Sequence, residues 1–327
     1  MTIERRTFLG SGVALLAASA ASAQSPAAGA ADAPFFPPKE SFPLWPGSPP
    51  GAPRTPVRPN WTMNNAPPNR ELWIRGVPMP EVHVYRPARP DGSSLLVLPG
   101  GGYEFLSVQN EGLDPAERFN ADRTTVFVLT YRLPVEGWSN RSRVPLQDAQ
   151  RAMRLIRSRA RDFGIRADHL GVLGFSAGGH LAADLAVGHT ARTYDPVDAA
   201  DTQSELPAFV GLIYPVISLD TKLTEGSSSP NLLGPSPTAA EVAARSPALH
   251  VDSLTPPRFI VAAFDDGLVH IDNSLMWIDA VRHAKGASVE AHLFAKGGHG
   301  FGLHLPKDNP GSLWPDLFAL WMRQHGG

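Results

Sequence analysis

Short apolar runs of strand length alternate along most of the chain with stretches whose apolar residues recur every three or four positions. The runs Val82–Tyr85, Leu95–Leu98, Thr125–Thr130, Leu170–Gly174, Phe209–Tyr214, Phe259–Ala263 and Val289–Phe294 predict strands. Between them the spacing predicts helices over Gln147–Arg161, Gly179–Val187, Ala239–Arg245, Asn273–Ala284 and Leu313–Gln324. On the first helix, Ala149, Met153, Ile156 and Ala160 share the face expected against a sheet. Arg151, Arg154, Arg157, Arg159 and Arg161 are expected on a solvated outer face, in preference to a nucleic-acid stripe. The alternation implies an α/β domain over residues 81–327, with a mostly parallel central sheet covered by helices on both faces. Residues 220–257 are too long for a plain connection and predict a small insertion beside the mouth of a site, in place of a large hydrophobic lid.

The beginning of the chain follows another pattern. Arg5-Arg6-Thr7-Phe8-Leu9 precedes a short apolar stretch, Val13 to Ala21, which closes on Ala21-Ser22-Ala23. Residues 1–23 therefore predict a signal peptide of the twin-arginine (Tat) type, although Glu4 stands where Ser or Thr is usual; an ordinary Sec signal is the alternative. The apolar stretch is too short for a bilayer-spanning helix, so no integral membrane segment is expected in the mature form. Either signal places the mature chain, from Gln24, in the periplasm or outside the cell. Residues 24–80 are expected to form a proline-rich arm, with the piece at 42–53 extended over the domain. Its first twenty or so residues are expected to be disordered, and Trp45 is the candidate anchor of the rest.

Composition narrows the classes. The chain has 327 residues, 43% of them hydrophobic, which suffices for one sizeable core. A net charge of -2 argues against nucleic acid or an anionic membrane as main partner. The absence of cysteine excludes disulfides, thiolate metal sites and a cysteine nucleophile.

The candidate chemistry begins at Gly174-Phe175-Ser176-Ala177-Gly178, where a predicted strand meets a predicted helix. A Gly-x-Ser-x-Gly at such a junction is the nucleophile elbow of an α/β-hydrolase fold. The serine stands on a strained turn, flanked by glycines because side chains there would collide. The following helix aims its first N–H groups at the position where an oxyanion forms. This fold orders its triad Ser, acid, His. Asp265 and Asp266 follow the 259–263 strand, and Asp265, first off the strand, is favoured as the acid over Asp266. His299 lies in the glycine-rich loop Lys296–Gly302 after the last strand. His180, His270 and His304 lack that placement. Leu98-Pro99-Gly100-Gly101-Gly102-Tyr103 follows a strand and offers bare backbone N–H groups; Gly101 or Gly102, with Ala177, are the expected oxyanion donors.

With "LPGGGY", "GFSAGGH", "SPALHVDSLTPPRFIVAAFDDGLVHIDNSLMW" and "LFAKGGHGFGL" in this order, the chain resembles secreted or periplasmic esterases of the acetylxylan-esterase and feruloyl-esterase-like (BD-FAE-type) group. The likeness runs from about Trp45 to the C-terminus and includes "LWPGSPPGAP". It implies triad roles for Ser176, Asp265 and His299, an oxyanion role for the 100–102 glycines, and deacetylation of plant-polysaccharide fragments. Acyl transfer of this kind needs no metal or organic cofactor, and the expected partner is a small-molecule or oligosaccharide ester. Pocket walls are expected from 103–110, 134–143 and 220–257. Two other readings share the features. One is a peptidase of the prolyl-oligopeptidase type, for which the preceding sequence is too short to form the β-propeller. The other is a hydrolase fold that only binds carbohydrate, with Trp138 or Trp45 as stacking platforms.

Overall fold

The described residues form eleven strands: β1 (Ser41–Pro43), β2 (Asn60–Asn64), β3 (Glu71–Arg75), β4 (Glu81–Tyr85), β5 (Ser94–Leu98), β6 (Leu106–Ser107), β7 (Thr125–Thr130), β8 (Leu170–Phe175), β9 (Val210–Ile213), β10 (Arg258–Ala263) and β11 (Val289–Phe294). The computed structural model describes residues 36–64, 70–188, 191–224, 226–284 and 288–326. The export signal read at 1–23 and the first part of the arm lie outside the described residues. Eight strands make one sheet in the order β1-β4-β7-β5-β8-β9-β10-β11. The pairs β1–β4 and β4–β7 are antiparallel, and every pair from β7 to β11 is parallel. The strands β2, β3 and β6 form a small antiparallel sheet.

The parallel strands require crossovers, and amphipathic helices supply them on both faces. Ala149, Met153 and Ile156 of helix Val144–Ser158, Leu181 and Leu185 of helix Ser176–Val187, and Trp277 of helix Asp272–His283 pack on one face with Val172 and Ile260. Phe119 of helix Asp114–Ala121 and Phe318 and Trp321 of helix Trp314–Gln324 pack on the other with Leu173, Phe175, Phe259 and Val261. The strand period of two sorts neighbouring residues between the two cores. The chain is an α/β-hydrolase fold. Among the described residues no helix is long and apolar enough to cross a membrane.

Two expectations need correction. The arginine row is not a solvated face along helix Val144–Ser158, although Arg161, past its end, is exposed as expected. Arg151 is 1% exposed and pairs with Asp198 at 2.5 Å and Asp201 at 2.9 Å. Arg154 pairs with Glu205 at 2.8 Å, and Arg157 donates to the carbonyls of Ala167 and Leu206. The segment 191–206 folds across the helix, and planar guanidinium groups satisfy its carboxylates and carbonyls. Nor is the 24–80 arm only an extended cover, since it contributes β1 to the edge of the main sheet and β2–β3 to the smaller one.

The arm is fastened by a buried charge cluster. Arg132 and Asp148 are fully buried and meet at 2.8 Å. Trp45 donates its indole N–H to Asp148 at 3.0 Å, and Arg132 donates to Gln147 at 3.0 Å and to the Pro50 carbonyl at 2.7 Å. The guanidinium lies over the Trp138 and Trp45 rings at 4.9 and 5.5 Å. Both indoles are thus interior groups, 5% and 3% exposed, and neither is a stacking platform for carbohydrate. Asp148→Ala strands the guanidinium in the core. It is expected to cost about 3–5 kcal/mol of unfolding free energy, as measured by denaturant titration.

Candidate active site

Helix Ser176–Val187 starts at the serine itself, and Ser176 has φ 50°. This left-handed turn is a strained conformation for a residue with a side chain, and the surroundings hold it there. A β-carbon placed on Gly174 would lie 2.2 Å from the Gly178 carbonyl oxygen, and one on Gly178 would lie 2.1 Å from that of Leu98. Only glycine permits the helix to pack so near the end of β5.

Ser176 Oγ lies 2.8 Å from His299 Nε2, and His299 Nδ1 lies 2.7 Å from Asp266 Oδ2. A carboxylate only accepts, so Nδ1 carries the proton and Nε2 accepts from the serine hydroxyl. The acid beside His299 is therefore Asp266 and not Asp265. The strand ends at Ala263, and the chain leaves the sheet in a turn that exposes Phe264. Asp265 then points outward over the histidine loop, where Oδ1 accepts from the amides of Gly297 and Gly298, each at 2.8 Å. The Gly298 amide, seconded by that of Gly297, holds its carboxyl below the usual range. The turn directs Asp266 inward: its side chain is 1% exposed, and Oδ1 accepts from Leu268 at 2.9 Å and Val269 at 2.8 Å. The sequence Asp266-Gly267-Leu268-Val269 is the signal that separates the two, because an aspartate before glycine closes an Asx turn onto the next amides.

The glycine loop after β5 stands against the elbow. Gly100 N–H is taken by Glu111 Oε2 at 2.7 Å, whereas among the described residues the Gly101 and Gly102 N–H groups have no protein acceptor. The loop is held by its carbonyls: Gly101 O accepts from Glu104 and Phe105, and Gly102 O accepts from Asn231 at 2.8 Å. Gly101 has φ 122° and Gly102 has φ 62°, conformations that a glycine adopts without the steric cost of a side chain. A cavity of about 520 Å³ opens on Ser176, His299, Gly101 and Gly102. Its walls include Trp73 and Phe105, stacked at 3.7 Å, together with Leu268 and the insertion residues Thr224 and Gly226–Ser228. The expected wall at 134–143 does not line this cavity, and β3 supplies Trp73 instead. A second cavity of about 620 Å³ shares Glu71, Asn110 and Gly300 with it and extends along the His299 loop to His304.

Other histidines have local roles. His180 Nε2 faces the Arg245 carbonyl at 2.7 Å, which fixes the proton there, so Nδ1 accepts from Tyr103 Oη at 2.7 Å. Burial brings its pKa down to about 4. His304 meets Asp114 at 2.8 Å, and His270 meets Asp272 at 3.1 Å. Among the described residues no three His, Asp or Glu side chains group as a metal site.

Two further residues at the site carried no sequence signal. Glu111, in the turn Gln109–Leu113, is 3% exposed, and Tyr214, just past β9, is 1% exposed with φ 37°. Tyr214 donates to Glu111 Oε1 at 2.9 Å and accepts from Gly302 N–H at 3.0 Å. Its ring packs edge-on to His299, with centroids 5.0 Å apart.

Against proteins of known family, residues 84–280, more than half of the chain, match the BD-FAE family model. The chain belongs to the BD-FAE family. An acetylxylan esterase from Xylanibacter ruminicola is 31% identical over 253 residues, covering 74% of this chain and 44% of that protein. Endo-1,4-beta-xylanase B of Butyrivibrio fibrisolvens is 34% identical over 206 residues, covering 63% of this chain and 32% of that protein. The chain thus spans less than half the length of these two relatives. An acetyl ester-xyloside bifunctional hydrolase from Caldicellulosiruptor lactoaceticus superposes with TM-score 0.69 at 30% identity, covering 87% of this chain and 96% of that one. A carboxylesterase from Lactobacillus plantarum, at 22% identity and TM-score 0.61, covers 83% of this chain and 98% of that one and shares the fold. This chain thus shares the BD-FAE family and the α/β-hydrolase fold with these proteins.

Burial raises the Glu111 carboxyl from 4.5 to about 7, against the opposing pull of the Gly100 amide, His299 and Tyr214. A folded-state pKa above the unfolded one means that the native state holds the extra proton. The stabilisation is full below about pH 4.5 and is lost as pH rises through about 7. Relative to Glu111→Gln, the wild type is expected to lose about 3 kcal/mol between pH 4.5 and pH 8. Denaturant midpoints of the two proteins at both pH values measure the difference.

Proposed function

We propose that this protein is a serine esterase that removes acetyl groups from carbohydrate, with xylan-type oligosaccharides as substrate class, outside the cytoplasm. The observation that carries the reading is the continuous chain Asp266–His299–Ser176, with contacts of 2.7 and 2.8 Å, ending in a cavity lined by Gly101 and Gly102. His299 Nε2 takes the hydroxyl proton as Ser176 Oγ attacks the ester carbonyl. Asp266 holds the tautomer and stabilises the imidazolium. The Gly101 or Gly102 amide, with that of Ala177 at the helix start, receives the oxyanion. His299 then protonates the departing sugar oxygen, and water, activated by the same imidazole, releases acetate. The polar cavity along the His299 loop gives room for a bulky hydroxylated alcohol. The names of the acetylxylan esterase and the acetyl ester-xyloside hydrolase support that substrate class. The arginine pair and apolar stretch of residues 1–23 support export, by the Tat route.

Ser176→Ala is expected to lower kcat on p-nitrophenyl acetate by ~10³-fold or more, and Asp266→Asn by ~10³–10⁴-fold. Asp265→Asn, which loses only loop contacts, is expected to cost less than ~10-fold. Steady-state assays rank the three, and Asp265→Asn proving the more damaging aspartate variant would reverse the assignment. Acetate release from acetylated xylan, measured beside methyl ferulate hydrolysis, tests the substrate class; activity on the ferulate alone would refute it.

A further inference from the structure

Glu111 costs the fold free energy when ionised, and the acyl-transfer steps above make no direct use of it. Its two oxygens receive different loops. Oε2 accepts Gly100 N–H at 2.7 Å, one residue before the first oxyanion candidate. Oε1 accepts Tyr214 O–H at 2.9 Å, and Tyr214 Oη in turn accepts Gly302 N–H, three residues beyond His299. We propose that Glu111 is a positioning residue for acyl transfer, which holds the Gly101–Gly102 amides in register with His299 by tying Gly100 to Tyr214 and Gly302. This inference rests on the serine-esterase reading.

The two contacts need an acceptor at each Glu111 oxygen. Gly100 N–H can only donate, and Gly302 N–H donates into Tyr214 Oη, so the tyrosine proton points at Glu111. The carboxylate therefore accepts twice. A glutamine would set its NH2, which only donates, against one of these donors and break the tie. Gly100 has no alternative seat: a β-carbon on it would lie 2.8 Å from Ser176 Cβ and 2.6 Å from the Phe175 carbonyl oxygen. The Gly100 N–H belongs to the peptide plane that joins Pro99 to Gly100, one Cα before the plane that carries the Gly101 N–H, so a pull at Gly100 N restrains the start of the loop. Tyr214 is similarly confined, at φ 37°, with its ring between His299 and Phe301 at 5.0 and 4.5 Å. Amide direction matters most once the carbonyl oxygen has become tetrahedral and charged, so a loosened loop reduces turnover more than substrate binding.

The test is steady-state hydrolysis of p-nitrophenyl acetate by wild type, Glu111→Gln, Tyr214→Phe and the double variant, with thermal melts to establish folding and Ser176→Ala as reference. Glu111→Gln is expected to lower kcat by ~10–100-fold with KM changed less than ~3-fold. Tyr214→Phe keeps the ring and removes the two hydrogen bonds; it is expected to lose kcat by ~3–10-fold, and the double variant to match Glu111→Gln within ~2-fold, because both changes cut one tie. Wild-type kcat in folded Glu111→Gln, a loss confined to KM, or losses that multiply in the double variant would overturn the proposal. If Glu111→Gln does not fold, Tyr214→Phe decides: unchanged kcat overturns the proposal and a kcat-only loss supports it. An active Ser176→Ala would instead strike the esterase reading itself.

Discussion

The helix that begins at Ser176 packs directly against the end of β5, and the rest of the site follows from that approach. Because β5 and β8 are parallel neighbours in register, with Leu98 opposite Gly174, the glycine loop and the serine emerge side by side. The next strands each add one part. Tyr214 follows β9, the two aspartates follow β10, and the His299 loop follows β11. Five adjacent parallel strands therefore deliver their chemistry at one end of the sheet, where loops can vary while the core stays fixed.

This end of the molecule carries costs that the core must offset. Ser176 and Tyr214 both hold positive φ at the ends of neighbouring strands, and Glu111 is a buried carboxyl beneath them. Large apolar side chains surround the expense: Phe175, Trp314, Phe318 and Trp321 pack on one face of the sheet and Trp277 on the other. Two carboxylates side by side do separate work. Asp265 shapes the loop that presents the histidine, and Asp266 orients its ring.

Much of this was legible from local pattern. The seven strands from β4 to β11 outside the small sheet read clearly because their apolar runs are bounded by turns, and the elbow read clearly because its glycines answer a steric need visible in five residues. What local pattern misses is set by distant partners. β1 is three residues long and becomes a strand only by pairing with β4. The arginine row looks solvated until 191–206 folds across it. Asp265 and Asp266 are an exception, since the Asx turn that Asp266 closes on Leu268 and Val269 is local and order off the strand is the poorer guide. Glu111 lies in an unremarkable polar stretch, and its meaning comes from Gly100, 11 residues away, and Tyr214, 103 residues away.

The fastening of the arm bears on where this folding unit starts. The family match begins at residue 84, inside β4. The physical unit reaches further back: β1 pairs with β4, Trp45 donates its indole N–H to Asp148, and the Pro50 carbonyl accepts from Arg132. A fragment trimmed to the matched boundary would expose a raw sheet edge, discard the strand that brings Trp73 to the cavity, and leave an interior ion pair short of two partners. The segment that runs through β1, Trp45 and Pro50 is thus part of the domain, and a minimal folding fragment has to begin before Ser41.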